Sequence, residues 1–216
     1  MTRVSKTKLF VRDNGLSLFM FGLFFVFLIG LSIAGHYHEN NQLVAHGQVV
    51  QTYMSYITSG SFIEAVFENW ESEFLQMAAL VLATIFLRQK GAADSKKIRG
   101  TNAVDASSRH TIIKNAFGKI VYANSLSLAL IALFLISFTL HAVGGVAMYN
   151  SDAAMHGERA ATVWQYVGSS QFWFESFQNW QSEFLAVGTL LVLSVYLRQQ
   201  GSPQSKPLGD PDQKTG

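Results

Sequence analysis

Two carboxylates recur at matched places in the chain. Glu73 lies in Glu-Asn-Trp-Glu-Ser-Glu-Phe-Leu (68–75) and Glu183 in Gln-Asn-Trp-Gln-Ser-Glu-Phe-Leu (178–185). An uncharged run follows each, Phe74–Leu87 and Phe184–Leu197. Wound as a helix from Phe62, the first segment places Phe62, Ile63, Val66, Phe67, Trp70 and Phe74 in an arc of about 0–140°, and Glu73 falls inside it near 20°. An acid on an apolar face that enters a bilayer costs up to ~3 kcal/mol at the centre, less near the edge. Its retention in both copies therefore calls for a partner. Asn69, Ser72 and Glu73, with Asn179, Ser182 and Glu183, form the candidate intramembrane polar site. The favoured reading is structural, Glu–Asn–Ser hydrogen bonding that ties helices together. The alternative is a protonatable carboxylate pair that binds protons or cations. Glu64, Glu68 and Glu71 fall at about 180–240° on the same wheel and read as a solvated face. The second copy has Phe174, Gln178 and Gln181 there, so their charge is expected to be dispensable.

Histidine offers a second chemistry. His46-Gly47 and His156-Gly157 occupy matched positions, and with Glu73 and Glu183 they would supply ligand types suited to zinc, iron or manganese. Their spacing matches no metal motif, so His46 and His156 remain weak metal candidates whose expected role is hydrogen bonding at a turn. A haem is not expected: it needs an axial pair, and the residue matched to His141 is Leu31. No nucleophile elbow, phosphate-binding glycine loop or His-Glu-x-x-His helix occurs, and the absence of cysteine excludes thiol chemistry and thiolate-bound metals. No catalytic residue and no cofactor is expected.

The elements that would position these residues are membrane helices. Of 216 residues 49% are hydrophobic and 14% charged, against ~25% charged in an ordinary soluble domain. Leu16–Ala34 carries no charge and Leu126–Met148 carries none either, each long enough to approach the ~30 Å of a hydrocarbon core. Leu16–Ala34 exceeds the usual ~7–15-residue core of a signal peptide and is expected to be retained. Arg3, Lys6, Lys8 and Arg12 precede it, and Arg88, Lys90, Lys96, Lys97, Arg99, Arg109, Lys114 and Lys119 fall between the second and third spans. Arg198, Lys206 and Lys214 follow the fourth, and Arg159 alone of the sixteen Lys and Arg residues lies on the opposite side. The positive-inside rule then makes both termini and the middle loop cytoplasmic, with 35–61 and 149–171 outside. Trp70, Trp164, Trp173 and Trp180 would form the outer aromatic belt. The basic loop fits anionic lipid better than nucleic acid.

Offset by 110 residues, the chain aligns with itself without a gap from Asn14/Asn124 to Gly91/Gly201, with 26 identities in 78 positions. Asn14 and Asn124 are N-cap candidates. In Leu87-Arg-Gln-Lys-Gly91 and Leu197-Arg-Gln-Gln-Gly201, Arg88 and Arg198 are interface anchors with Trp70 and Trp180, and the glycines are expected to cap the helices. The organisation expected is a first two-helix repeat at 1–92 (spans about 16–35 and 67–88) and a basic loop at 93–119. A second repeat at 120–202 (spans about 124–147 and 177–198) and a disordered tail at 203–216 complete the chain. The repeats would be related by a pseudo-twofold along the membrane normal.

These paired signatures, with Asn-Gly-Leu-Ser, His-Gly and Leu-Arg-Gln-x-Gly in the same order, resemble a family of bacterial integral membrane proteins of unknown function, from about Phe10 to Lys206. The resemblance implies a bacterial inner-membrane protein and brings no activity, cofactor or catalytic residue. The fold class expected is an all-α membrane protein of four transmembrane helices. The function expected is a non-enzymatic helix-packing or accessory protein whose partners are the bilayer, a second copy or another membrane protein. A small cation- or proton-linked channel or transporter using Glu73 and Glu183 is the alternative, and a membrane metalloenzyme the third.

Overall fold

A computed structural model describes residues 6–102, 104 and 115–215. Arg3, Arg109 and Lys114, part of the expected orientation signal, lie outside the described residues. Among those described there are eight helices and no strands. They are α1 (Lys6–Asp13), α2 (Gly15–Ala45), α3 (Tyr53–Ile57), α4 (Gly60–Phe86), α5 (Ala116–Ala123), α6 (Ser125–His156), α7 (Val163–Val167) and α8 (Ser170–Tyr196). Helices α2 and α6 are long and apolar enough to cross a membrane. In their most apolar windows only 6% and 22% of residues are buried, so both present apolar surface outward. Phe19, Phe21, Phe25 and Phe27 of α2 are all exposed. A patch of that extent is unusual on a protein bathed in water.

Matched local chemistry shapes the two halves. Thr52 and Thr162 accept the amide hydrogen bonds that start α3 and α7. Ser59 and Ser169 do the same for Phe62 and Phe172 at the start of α4 and α8. The Asn40 amide donates to Gln51 O at 3.0 Å and accepts from Gln51 N at 2.8 Å, while Asn150 holds Ala161 by the same pair at 3.0 and 2.7 Å. Each bond pair pins the chain leaving a long helix to that helix's last turns. Tyr166 then lies against Gly145, where a Cβ would come within 2.5 Å of the phenol ring. The core is Ala142, Val146, Tyr166 and Phe172, with Phe138 and Tyr149 packed around it.

The halves do not assemble as a closed twofold. Such symmetry would pair α2 with α8 as it pairs α4 with α6, yet α4–α6 is the main interface and α2–α8 makes no comparable one. Small residues account for the difference. A Cβ on Gly144 would sit 2.6 Å from the Glu64 amide nitrogen, and one on Gly60 would sit 2.6 Å from Ala147 Cβ. The matched residues are Ala34 and Ser170, whose side chains bar an equally close approach.

Other local expectations also change. The helices run Gly15–Ala45 and Ser125–His156, well past the expected ends of the first and third spans, and Gly60–Phe86 and Ser170–Tyr196, starting earlier than expected. Asn14 and Asn124 stand at helix starts but donate backwards, to Phe10 O at 2.9 Å and Ile120 O at 2.8 Å, so neither side chain caps. Each instead closes the short helix before it. Leu87 and Leu197 are the C-caps of α4 and α8, and Gly91 and Gly201 take up left-handed turns beyond them (φ 86° and 83°). The arginines serve the helix ends: Arg88 donates to Phe86 O, and Arg198 to Val195 O, both at 3.0 Å. The tail expected to be disordered is folded over the 88–100 segment. Lys206 Nζ donates to Asp212 O at 3.0 Å, Arg198 reaches Asp212 Oδ1 at 2.8 Å, and Gly91 N donates to Thr215 Oγ1 at 2.8 Å. Those contacts offset the ordering entropy that a polar tail by itself could not.

Candidate metal centre

Helix α4 carries Glu64, Glu68 and Glu71 at i, i+4 and i+7, one stripe on its surface. Because Gly60 and Gly144 bring α4 against α6, that stripe faces His141. Helix α8 closes the third side with Glu175, Asn179 and Trp180. Glu71 and His141 have fully buried side chains, and His141 Nδ1 donates to Glu71 Oε2 at 2.8 Å. The second oxygen of Glu71 accepts from Trp180 Nε1 at 2.9 Å. Both oxygens of this carboxylate therefore hold N–H donors, which fixes the imidazole ring and its tautomer. Phe172 stacks on the ring at 4.7 Å and 24°.

The other ring nitrogen is the unusual atom. His141 Nε2 is buried and has no hydrogen-bond partner. It points toward Glu175 Oε2 at 3.6 Å, too far for a hydrogen bond. Glu175 is held independently: Tyr166 Oη donates to Oε2 at 2.6 Å and Gln171 Nε2 to Oε1 at 3.0 Å. Burial, reinforced by this hydrogen bond and the neighbouring carboxylates, holds the Tyr166 phenol well above its usual pKa, so it stays a donor. Asn179 holds Glu68 from across the α4–α8 seam. Among the described residues, Glu64, His141 and Glu175 are the one set of His, Asp and Glu side chains whose ligand atoms all lie within 4.8 Å of each other.

Those separations suit a metal. Two ligands at about 2.1 Å from one tetrahedral ion stand about 3.4 Å apart, close to the separation of His141 Nε2 and Glu175 Oε2. A buried nitrogen with no hydrogen bond is destabilising, and ligation would satisfy it. The donor set, one imidazole and two carboxylates, is that of borderline divalent ions such as zinc, iron(II) or manganese(II). Three protein ligands leave a coordination position open, and Glu71 is the outer carboxylate that orients the imidazole.

Of the residues singled out in the sequence, Glu73 and Glu183 lie outside the buried cluster but stand near enough for their charges to interact. Glu73 is exposed and Glu183 half-buried. Glu73 borders a groove of about 620 Å³ between α2 and α4, with Phe24, Phe27, Trp70 and Asn69 along it. Asn69 does not bond Glu73: its amide donates to Ala65 O at 2.8 Å, while Ser72 and Ser182 donate to Asn69 O and Asn179 O. Asn179 alone of the six reaches the buried cluster. Trp180, expected at the lipid interface, is turned inward onto Glu71. Trp70 packs on Phe24 at 5.6 Å. His46 and His156 come together with ring centroids 5.7 Å apart, but among the described residues they do not gather with Glu73 and Glu183 into one set of ligand atoms.

Glu64, Glu68 and Glu71 were expected to be a solvated face, and here the expectation fails. Glu71 is fully buried, and Glu64 and Glu68 are half-buried. His141 and Glu175 answer to Leu31 and Ala65, and the three acids of α4 to Phe174, Gln178 and Gln181, so the acids and the histidine of the cluster stand where the halves differ, whereas Tyr166, Asn179 and Trp180 match Tyr56, Asn69 and Trp70. An asymmetric site needs one residue from each partner helix, and the second copy has no use for a duplicate. No curated protein and no solved structure matches the chain. Residues 7–216 match the model of the domain of unknown function DUF6766, and the chain belongs to that family.

Proposed function

We propose that this chain is a bacterial inner-membrane metalloprotein that holds one divalent transition-metal ion through His141 Nε2, Glu175 and Glu64. The carrying observation is the buried Nε2, which has no hydrogen bond and stands 3.6 Å from the oxygen of a carboxylate already held in place, a ligand–ligand distance. Glu71, Glu68, Tyr166 and Trp180 form the surrounding shell that orients the ligands and balances the ion's charge. In this reading four helices cross the bilayer, α2 and α4 as a first repeat and α6 and α8 as a second, with both termini cytoplasmic. Support comes from the matched helix bounds, the exposed apolar surface of α2 and α6, and the placement of Lys and Arg. A metal ion ligated from α4, α6 and α8 would also strengthen their packing, so the expected helix-packing role and the metal site belong together.

The test is metal analysis of purified, tag-free protein carrying His46→Ala/His156→Ala, so that the exposed histidine pair holds no ion, reconstituted separately with Mn²⁺, Fe²⁺ and Zn²⁺. One equivalent is expected in the parent and in Glu73→Gln/Glu183→Gln, and loss in Glu175→Gln and Glu64→Gln. Parent protein that binds none of the three ions, or Glu64→Gln and Glu175→Gln proteins that retain a full equivalent, would sink the reading.

A further inference from the structure

A second arrangement of histidines lies at the other end of the long helices. His46 is the C-cap of α2 and His156 the last residue of α6, and the two rings meet edge to face at 5.7 Å and 73°. His156 is fifteen residues beyond His141, about 22 Å along α6, so this pair is independent of the buried centre. Both side chains are exposed. Each Nδ1 donates to the carbonyl four residues earlier, His46 to Gln42 O at 2.9 Å and His156 to Asp152 O at 3.0 Å. That bond commits the proton of each neutral ring to Nδ1. It leaves both Nε2 lone pairs as the available ligand atoms.

We propose that His46 and His156 form a surface metal site that takes a borderline divalent transition ion, Cu²⁺ or Zn²⁺, through the two Nε2 atoms. Three features converge. Two imidazoles bound through nitrogen at about 2.1 Å to one tetrahedral ion have centroids roughly 5.2 Å apart, within 1 Å of the observed separation. The C-terminal ends of two long helices meet here, and their negative dipole ends favour a cation. Asp152 Oδ1 lies 3.6 Å from His156 Nδ1 and adds an acidic group beside the pair. Gly47 and Gly157, both left-handed (φ 68° and 71°), turn the chain away immediately after each histidine and leave the approach to the rings open. Such an ion would link the end of α2 to α6, two helices that otherwise share no extensive interface.

The experiment adds Cu²⁺ to the purified, tag-free full chain in detergent and records electron paramagnetic resonance. Glu175→Gln serves as the background, so that the buried centre does not contribute. Coupling to two imidazole nitrogens is expected, falling to one in His46→Ala or in His156→Ala with at least tenfold weaker binding. It should vanish in the double variant, and Zn²⁺ should displace the signal. Because both rings are exposed, circular dichroism and elution volume should not change. Copper coupling that persists in the double variant, never exceeds one nitrogen, or disappears with His141→Ala instead would overturn the site. These outcomes leave the fate of the buried centre, read by its own metal equivalent, unaffected.

Discussion

Glu71→Gln tests the architecture of the buried centre without removing a ligand. Glu71 accepts two N–H bonds, from His141 Nδ1 at 2.8 Å and Trp180 Nε1 at 2.9 Å. A glutamine presents one oxygen and one amide nitrogen, so one of the two donors must face another donor. A buried donor left in that position is destabilising by about 1–3 kcal/mol, which lowers the melting temperature without metal. Removal of the carboxylate charge also weakens the basicity of the imidazole. Loss of such an outer carboxylate typically reduces metal affinity by about 10–100-fold, or roughly 1.4–2.7 kcal/mol. Isothermal titration with Mn²⁺ reads the affinity, and thermal unfolding with and without metal reads the stability. Trp180→Phe is the companion: it removes one hydrogen bond from Glu71 but leaves the His141 bond and the charge, so its affinity loss should be smaller than that of Glu71→Gln. A Glu71→Gln protein with the parent's affinity and melting temperature would refute the assignment of Glu71 as the group that orients His141.

Three further outcomes follow from the same contacts. Gly144→Ala places a Cβ 2.6 Å from the Glu64 backbone nitrogen and should destabilise by about 1–3 kcal/mol, whereas Gly188→Ala meets nothing within 4 Å and should be neutral or slightly stabilising, as read by thermal unfolding. The raised Tyr166 pKa contributes stability that is complete below the unfolded phenol's pKa of about 10 and declines as pH rises beyond it. Tyr166→Phe should flatten that alkaline decline in unfolding experiments run from pH 8 to 11. Removal of Mn²⁺ by a chelator should lower the melting temperature of the parent, by an amount equivalent to about 2.7 kcal/mol for free Mn²⁺ held at a hundred times its Kd, and leave Glu175→Gln unchanged.

Much of the architecture is legible in residue patterning. Long uncharged runs dictate long helices, because a backbone in an apolar medium must satisfy its own hydrogen bonds. The 110-residue offset is visible in the sequence and returns in the bounds of α2/α6, α3/α7 and α4/α8 and in the paired Asn40 and Asn150 bonds. The site was less legible for a physical reason. A helical wheel reports which face a residue occupies, not what stands opposite. The face holding Glu64, Glu68 and Glu71 looks solvated until a second helix is laid on it, and the glycines that permit this, Gly60 and Gly144, belong to different halves of the chain. The acids that the halves share within their helices, Glu73 and Glu183, lie outside the buried cluster. The ionisable acids and the histidine of that cluster occupy positions the halves do not share.

Sequence alone thus determined the all-helical character, the strong apolar bias of α2 and α6, and the recurrence of residues at a fixed offset. These depend on interactions within a few residues and on the medium that each segment prefers. Tertiary structure decided the pairing of α4 with α6, the burial of Glu71 with His141, the inward turn of Trp180 and the meeting of His46 with His156. Each of these depends on the packing of segments distant in the chain, which is set by side-chain volume at the crossing points and leaves no periodic trace along the sequence.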